Sequence, residues 1–178
     1  MLYTQLSKDD APDQLLIQGE QNRNDHENQK DKSGTDDTKR QLTKAPDFTV
    51  YDGSGNKVNL SDYVGKPIVL NFWASWCGPC QSEMPDFHEK YLELGDEIHF
   101  LMVNMTGGRE TLSSAKAFIS EKGYTFPVFY DTDSDAAMTY SVYLLPTTYF
   151  IDAEGYLIAQ ATGPISADTL QRGIDLIK

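Results

Sequence analysis

Short apolar runs alternate with turn-forming residues from residue 45 to the C-terminus, whereas the first 44 residues are mostly polar. Between Gln18 and Lys44 the only large aliphatic residue is Leu42. Such a stretch cannot bury enough apolar surface to offset the entropy that is lost on ordering. We therefore predict a disordered polar linker over residues 1–44 and one folded domain over residues 45–178.

A short apolar segment at residues 11–17 interrupts the polar linker, because Leu15, Leu16 and Ile17 are consecutive. One interpretation is a transient amphipathic turn. The other, which we prefer, is a few apolar residues in an otherwise unstructured tail. Neither interpretation gives this segment a place in the folded domain.

Two nearly unbroken apolar runs in the domain, residues 67–74 and 98–105, are typical of strands that are covered on both faces of a sheet. The remaining strands are shorter and are bounded by turn signals. They are a hairpin of residues 48–51 and 57–60 around a Gly-rich loop, a strand at 127–130, and an antiparallel pair at 147–151 and 156–161.

Helical periodicity separates these strands. From Met84 to Leu94 apolar residues recur every three or four positions, which predicts a helix over 78–94 with one buried face and a bend at Pro85. Further helices are predicted at residues 110–122, 134–140 and 166–177. The alternation predicts an α/β fold with a mixed central sheet flanked by helices and preceded by the N-terminal hairpin.

Length and charge exclude several classes of protein. The 178 residues suffice for one domain of ordinary size. The formal net charge is −12, and residues 46–178 account for −10 of it, with 18 acidic and 8 basic residues. A phosphate backbone would be repelled, so we expect no nucleic-acid partner.

The chain opens in polar sequence, as it would if a membrane anchor had been removed from its N-terminus, and we expect such an anchor.

The two cysteines, Cys77 and Cys80, form a C-x-x-C unit at the start of the helix predicted over 78–94. Free N–H groups at a helix N-terminus favour an anion, and the thiolate is the reactive form of cysteine. Pro79 fits the first helical turn and Gly78 leaves the sulfur accessible. Cys80 is placed to attack a mixed disulfide that forms on Cys77.

Two other interpretations of the cysteine pair remain open, an inert structural disulfide and half of a zinc site. Zinc would need two further ligands, and the histidines at positions 26, 88 and 99 lack the H-x-x-x-H spacing. We therefore expect no bound metal.

The segment Phe72-Trp-Ala-Ser-Trp-Cys-Gly-Pro-Cys80, together with Pro85 and Leu145-Pro-Thr-Thr-Tyr-Phe-Ile151, resembles the thioredoxin superfamily over residues 46–178. Ala45-Pro-Asp-Phe-Thr-Val and an inserted β-α unit before Leu145 resemble its TlpA/ResA branch, which has an AhpC/TSA-redoxin type domain. The resemblance implies a thioredoxin-like fold. It also implies an extracytoplasmic thiol-disulfide oxidoreductase, tethered to the outer face of a bacterial membrane.

The resemblance further implies an activity and its partners. The enzyme would reduce disulfides in exported proteins, such as apocytochrome c, through a dithiol-disulfide cycle of Cys77 and Cys80 without a cofactor. Its partners would be disulfide-containing client proteins and a membrane dithiol that donates electrons. We expect the protein to be a monomer.

The residues that the family uses to bind clients have counterparts here. Trp76 would be an exposed cover over the site, whereas Trp73 would belong to the core. The bond between Leu145 and Pro146 would be cis and would face the cysteines. We assign client binding to the following residues: Trp76, Gly78, Pro79, Leu145, Pro146 and Thr147.

The proton acceptor for Cys80 departs from the thioredoxin pattern. Asn71 occupies the position where many thioredoxins have a buried acid, and an amide cannot act as a general base. By resemblance to the TlpA/ResA branch, Glu110 takes this catalytic role in our prediction. The alternative for Glu110 is a first-turn helix acid that complements the helix dipole.

Two other classes of function fit this sequence less well. A redox-silent binding or chaperone module would keep the fold without a cycling thiol pair, and the intact Trp-Cys-Gly-Pro-Cys sequence argues against it. A thiol peroxidase would require a P-x-x-x-T-x-x-C arrangement, which the sequence lacks.

Overall fold

A computed structural model describes residues 15–18 and 42–178 and contains a mixed β-sheet. Its described strands are β1 (Leu16–Ile17), β2 (Thr49–Tyr51), β3 (Lys57–Asn59), β4 (Ile68–Trp73), β5 (His99–Asn104), β6 (Val128–Tyr130), β7 (Thr147–Ile151) and β8 (Leu157–Thr162). Their order in the sheet is β1-β8-β7-β4-β5-β6-β2-β3. Strands β4, β5 and β6 are parallel and the other pairs are antiparallel. The predicted mixed sheet is confirmed.

Four described helices follow the predicted order: α1 (Gly78–Leu94), α2 (Leu112–Lys122), α3 (Asp135–Thr139) and α4 (Ala167–Ile177). One boundary differs from the prediction in a way that matters for the site. Helix α2 begins at Leu112 because Thr111 is its N-cap and accepts a hydrogen bond from the Ser114 N–H. Glu110 therefore precedes the helix, and the interpretation of Glu110 as a first-turn helix acid is wrong.

The central strand β4 divides the core into two layers, because its side chains alternate between the faces of the sheet. On one face, Val69 and Trp73 pack with helices α1 and α4. On the other, Ile68, Leu70 and Phe72 pack with the hairpin and α3. Trp73 is fully buried and belongs to the core, as predicted.

The apolar segment of the tail differs from both interpretations, since Leu16–Ile17 forms the edge strand β1. Leu16 lies opposite Gln160 and Ile17 opposite Ala159, and the Gln18 N–H donates to the Ile158 carbonyl at 2.8 Å. Without β1, strand β8 would lie at the edge of the sheet with unpaired backbone groups, and β1 satisfies some of them. This part of the predicted linker is thus part of the domain.

The stretch just before residue 45, which the prediction places in the linker, also contacts the chain at the start of β8. The Thr43 carbonyl accepts a 2.9 Å hydrogen bond from the Leu157 N–H, and Lys44 forms a bridge with Tyr156. Residues 1–14 and 19–41 lie outside the described residues, so the linker stays a prediction there.

Within residues 15–18 and 42–178, no helix has the length and apolar character needed to cross a bilayer.

Replacing Ile17 by Asp should destabilise the protein, whereas replacing Leu16 by Asp should have little effect. Ile17 is half-buried against the core, and Leu16 is 42% exposed. We expect Ile17→Asp to lower the free energy of unfolding by about 1–2 kcal/mol, from lost apolar burial and the placing of a charge at the edge of the core. Urea unfolding measures this. Equal stabilities of the two variants would show that β1 does not stabilise the domain.

Candidate functional site

The two cysteines lie at the N-terminus of α1, where they form a disulfide. The sulfur atoms are 2.13 Å apart and the Cα atoms 5.3 Å apart. Cys77 is the N-cap of the helix, and its Sγ accepts a hydrogen bond from the Cys80 N–H at 3.2 Å. Cys80 is fully buried, whereas 5% of Cys77 is exposed. Of the two cysteines, Cys77 is therefore the one with exposed surface.

The first turn of α1 has the features expected for a reactive thiolate. Gly78 and Pro79 are both exposed. A Cβ atom added to Gly78 would meet no described atom within 4 Å other than those of its chain neighbours and its own helix backbone, so no other part of the described protein covers this residue. Helix α1 has 17 residues, and the positive end of its dipole lies at Cys77. The local geometry therefore favours both access to Cys77 and its ionisation once the disulfide is reduced.

Trp76 forms one border of the site. It is 47% exposed although it is a large apolar residue, and it directly precedes Cys77. The guanidinium carbon of Arg109 lies 4.6 Å from the centroid of its ring, which is a cation-π contact. Sequence reasoning did not single out Arg109.

The Leu145–Pro146 turn lies at the same end of the sheet as the cysteines. Its peptide bond is cis, as the resemblance implied. Thr147 in β7 lies opposite Phe72 in β4, the strand that leads directly into residues 74–77, which we call the cysteine loop. Leu145 is half-buried and Thr147 is buried. The sheet therefore brings these three residues towards the cysteines from a distant part of the chain.

A buried carboxylate that sequence reasoning missed belongs to Glu83, three residues after Cys80 on the same buried side of α1. Only 2% of Glu83 is exposed. Its Oε1 accepts from the Asn71 amide at 2.8 Å, and its Oε2 accepts from the Ile165 N–H at 3.0 Å. Although Asn71 itself cannot act as a base, its amide contacts a buried carboxylate that helix α1 supplies.

A signal for Glu83 was present in the sequence. The buried side of α1 carries Cys80, Met84 and Phe87, and position 83 borders them on the helical wheel, about 40° from Phe87. A charged residue among buried apolar positions is unusual and commonly marks a functional site.

Glu110 lies beside the cysteine loop and is only 2% exposed. Its carboxylate accepts hydrogen bonds from the Ser75 N–H, from the Ser75 hydroxyl at 2.9 Å, from the Ser114 hydroxyl, and from the Asn104 amide at 3.4 Å. Burial opposes ionisation most strongly, but these hydrogen bonds together outweigh it, and the pKa of Glu110 is lowered. None of these bonds joins Glu110 to a cysteine.

The contacts of Glu110 favour a role that differs from the predicted one. A carboxylate with a lowered pKa and several donors around it is a weak proton acceptor at neutral pH.

Within residues 15–18 and 42–178, the structure contains no group of three or more His, Cys, Asp or Glu side chains that could hold a metal ion.

Comparison with known proteins agrees with this geometry. The model of the AhpC/TSA family matches residues 42–160. The thiol-disulfide oxidoreductase ResA of Geobacillus kaustophilus is 38% identical over 135 residues, which are 75% of this chain and 76% of ResA. The thioredoxin-like protein YneN of Bacillus subtilis is 35% identical over 132 residues, 74% of this chain and 77% of YneN.

Solved structures of thioredoxin-like proteins also superpose on this chain. The exposed lipoprotein thioredoxin Etrx1 of Streptococcus pneumoniae superposes with a TM-score of 0.61 at 37% identity, over 74% of this chain and all of Etrx1. StoA of Bacillus subtilis superposes with a TM-score of 0.64 at 25% identity, over 72% of this chain and 96% of StoA. The fold around the cysteine pair is therefore the thioredoxin fold, and the chain belongs to the AhpC/TSA family as a thiol-disulfide oxidoreductase.

Proposed function

We propose that this protein reduces disulfides in exported proteins, such as apocytochrome c, at the outer face of a bacterial membrane. The observation that carries the proposal is the asymmetry of the cysteine pair. Cys77 caps the helix and is slightly exposed, whereas Cys80 is fully buried one turn further along. Thiol-disulfide exchange with a protein client uses an accessible attacking thiol and a resolving thiol that the client does not reach.

The reaction we propose has two steps. In the reduced enzyme, the Cys77 thiolate attacks one sulfur of the client disulfide, so that a Cys77–client disulfide forms and the other client sulfur leaves as a thiolate. Cys80 then loses its proton and attacks the Cys77 sulfur, which releases the second client thiolate and forms the Cys77–Cys80 disulfide. Two electrons pass to the client, and a membrane dithiol restores the enzyme.

The proton of Cys80 needs an acceptor, and Glu83 is better placed for this role than Glu110. Glu83 shares the buried side of α1 with Cys80, three residues away. Glu110 instead makes its hydrogen bonds to Ser75, Ser114 and Asn104. We therefore propose Glu83 as the proton acceptor, in place of the predicted Glu110.

We propose that clients bind in the space between Trp76 and the Leu145–Pro146 turn. Gly78, Pro79 and Thr147 complete the proposed contact surface. Tyr143 and Leu144 just before the turn are 89% and 65% exposed, which extends the apolar surface outward. The net charge of −10 over residues 46–178 favours client segments that are neutral or basic.

The proposed location rests on resemblance. Etrx1, which is 37% identical, is described as an exposed lipoprotein. A similar membrane tether would place the domain beside a membrane dithiol donor. We propose that the protein acts there as a monomer, with no nucleic-acid partner and with no cofactor besides its two cysteines.

The equilibrium reduction potential of the Cys77/Cys80 pair tests the direction of electron flow. We expect a value below about −220 mV, in the range of reductants such as thioredoxin. The measurement uses the unaltered protein in glutathione or dithiothreitol redox buffers, with the thiols trapped by alkylation. A potential near −120 mV, typical of a strong oxidant, would overturn the proposed reductase function.

A further inference from the structure

The loop between β5 and α2 contains a tight turn, residues 107–110, that touches the cysteine loop at two successive positions. The turn is closed by two backbone hydrogen bonds, from the Gly107 N–H to the Glu110 carbonyl at 2.9 Å and from the Glu110 N–H to the Gly107 carbonyl at 3.0 Å. Gly107 and Gly108 have φ values of +145° and +58°, a region that favours glycine. We call this turn the clasp.

The two side chains at the end of the clasp contact two neighbouring residues of the cysteine loop. Arg109 is exposed and stacks on Trp76, 4.6 Å from the ring centroid. Glu110 is buried and accepts hydrogen bonds from both the backbone N–H and the hydroxyl of Ser75. Consecutive clasp residues thus hold consecutive residues of the loop, and Cys77 comes next.

The backbone of Cys77 is linked to residues 74–76 as well as to α1. The Cys77 N–H donates to the Ala74 carbonyl at 3.2 Å, and the Ser75 carbonyl accepts from the Gln81 side chain at 2.6 Å. Ser75 therefore connects the clasp to the first turn of the helix. A shift of Ser75 would move the sulfur that must align with a client disulfide.

We propose that Arg109 and Glu110 are positioning residues, which hold Trp76 and Ser75 so that Cys77 is aligned for attack on a client disulfide. This inference rests on the proposed function, in which Cys77 makes the first attack. It assigns Glu110 to the first chemical step rather than to the deprotonation of Cys80. The charge on Glu110 supports it, because an ionised carboxylate accepts hydrogen bonds from all its neighbours without donating one.

The test isolates the first step by working in a Cys80→Ser background. There the Cys77 thiolate attacks an added small aromatic disulfide, forms a mixed disulfide on Cys77 and releases one aromatic thiolate, which is measured by its absorbance. No resolving thiol is present, so a proton acceptor for Cys80 cannot affect the rate. We expect Glu110→Gln to slow this attack by about 10-fold, because small misplacements of a reacting group can cost up to about 100-fold.

A second variant tests the exposed half of the clasp. Arg109→Gln removes the cation-π contact at the surface, where the loss does not threaten folding. We expect it to slow the attack by about 3-fold, since surface contacts of this type are weaker than buried hydrogen bonds to a carboxylate. It should also increase acrylamide quenching of tryptophan fluorescence. The protein has two Trp residues, and Trp73 is fully buried, so quenching reports on Trp76.

Glu121→Gln is the matched control, because Glu121 is an exposed residue of α2 and undergoes the same change of charge. We expect its attack rate to equal that of the Cys80→Ser parent. Parent-like rates for both Glu110→Gln and Arg109→Gln would overturn the inference. If Glu110→Gln does not fold, the attack rate of Arg109→Gln alone tests the inference, and a parent-like rate overturns it. Failure of the proposed function is a separate result, in which the Cys80→Ser parent itself does not attack the disulfide.

Discussion

Cys80→Ser should accumulate stable mixed disulfides with client proteins, whereas Cys77→Ser should lose disulfide reduction altogether. Cys77 is the slightly exposed N-cap of α1, and Cys80 is fully buried, so only Cys77 can make the first attack. Without Cys80 no thiol is available to break the Cys77–client bond. Non-reducing gels and mass spectrometry of proteins trapped on the Cys80→Ser variant provide the measurement.

This prediction has an internal control, because the two serine substitutions are chemically identical. The double variant Cys77→Ser/Cys80→Ser should trap no client and should have a melting temperature close to that of the reduced parent. If the Cys77→Ser variant trapped clients as well as Cys80→Ser does, the assignment of attacking and resolving roles would be wrong. The identity of the trapped proteins also tests the proposal that apocytochrome c is a client.

Glu83→Gln should slow the second step of the reaction by about 100-fold at pH 7, the lower part of the range for general acid-base catalysis. Gln has nearly the same size and can still accept a hydrogen bond from Asn71, but it cannot take a proton from Cys80. The rate of client release after rapid mixing reports this step. In the Cys80→Ser background, the rate of attack by Cys77 should be unchanged.

Glu89→Gln is a suitable control for Glu83→Gln, since Glu89 is an exposed glutamate of the same helix. A normal release rate in Glu83→Gln, together with a slow one in Glu110→Gln, would instead support our original assignment of Glu110 as the proton acceptor. The two glutamates are thus separated by the step that each substitution slows. Glu83 should affect release, and Glu110 should affect attack.

The order of strands and helices and the location of the cysteine pair were determined by the sequence alone. The buried runs at 67–74 and 98–105 became β4 and β5, and the helix predicted over 78–94 was confirmed within its bounds. These features are local, because apolar periodicity and a C-x-x-C unit at a helix start depend on neighbouring residues. Family resemblance supplied the cis bond before Pro146, which local preferences would have assigned as trans.

The partners of polar side chains were decided only by the tertiary structure. Glu83 and Asn71 are 12 positions apart, and Glu110 and Ser75 are 35 apart, yet both pairs are joined by hydrogen bonds. The pairing of Ile17 with Ala159 spans almost the whole domain. A carboxylate acts as an acid, a base or a hydrogen-bond acceptor according to what surrounds it, and the packing of distant strands and helices decides those surroundings.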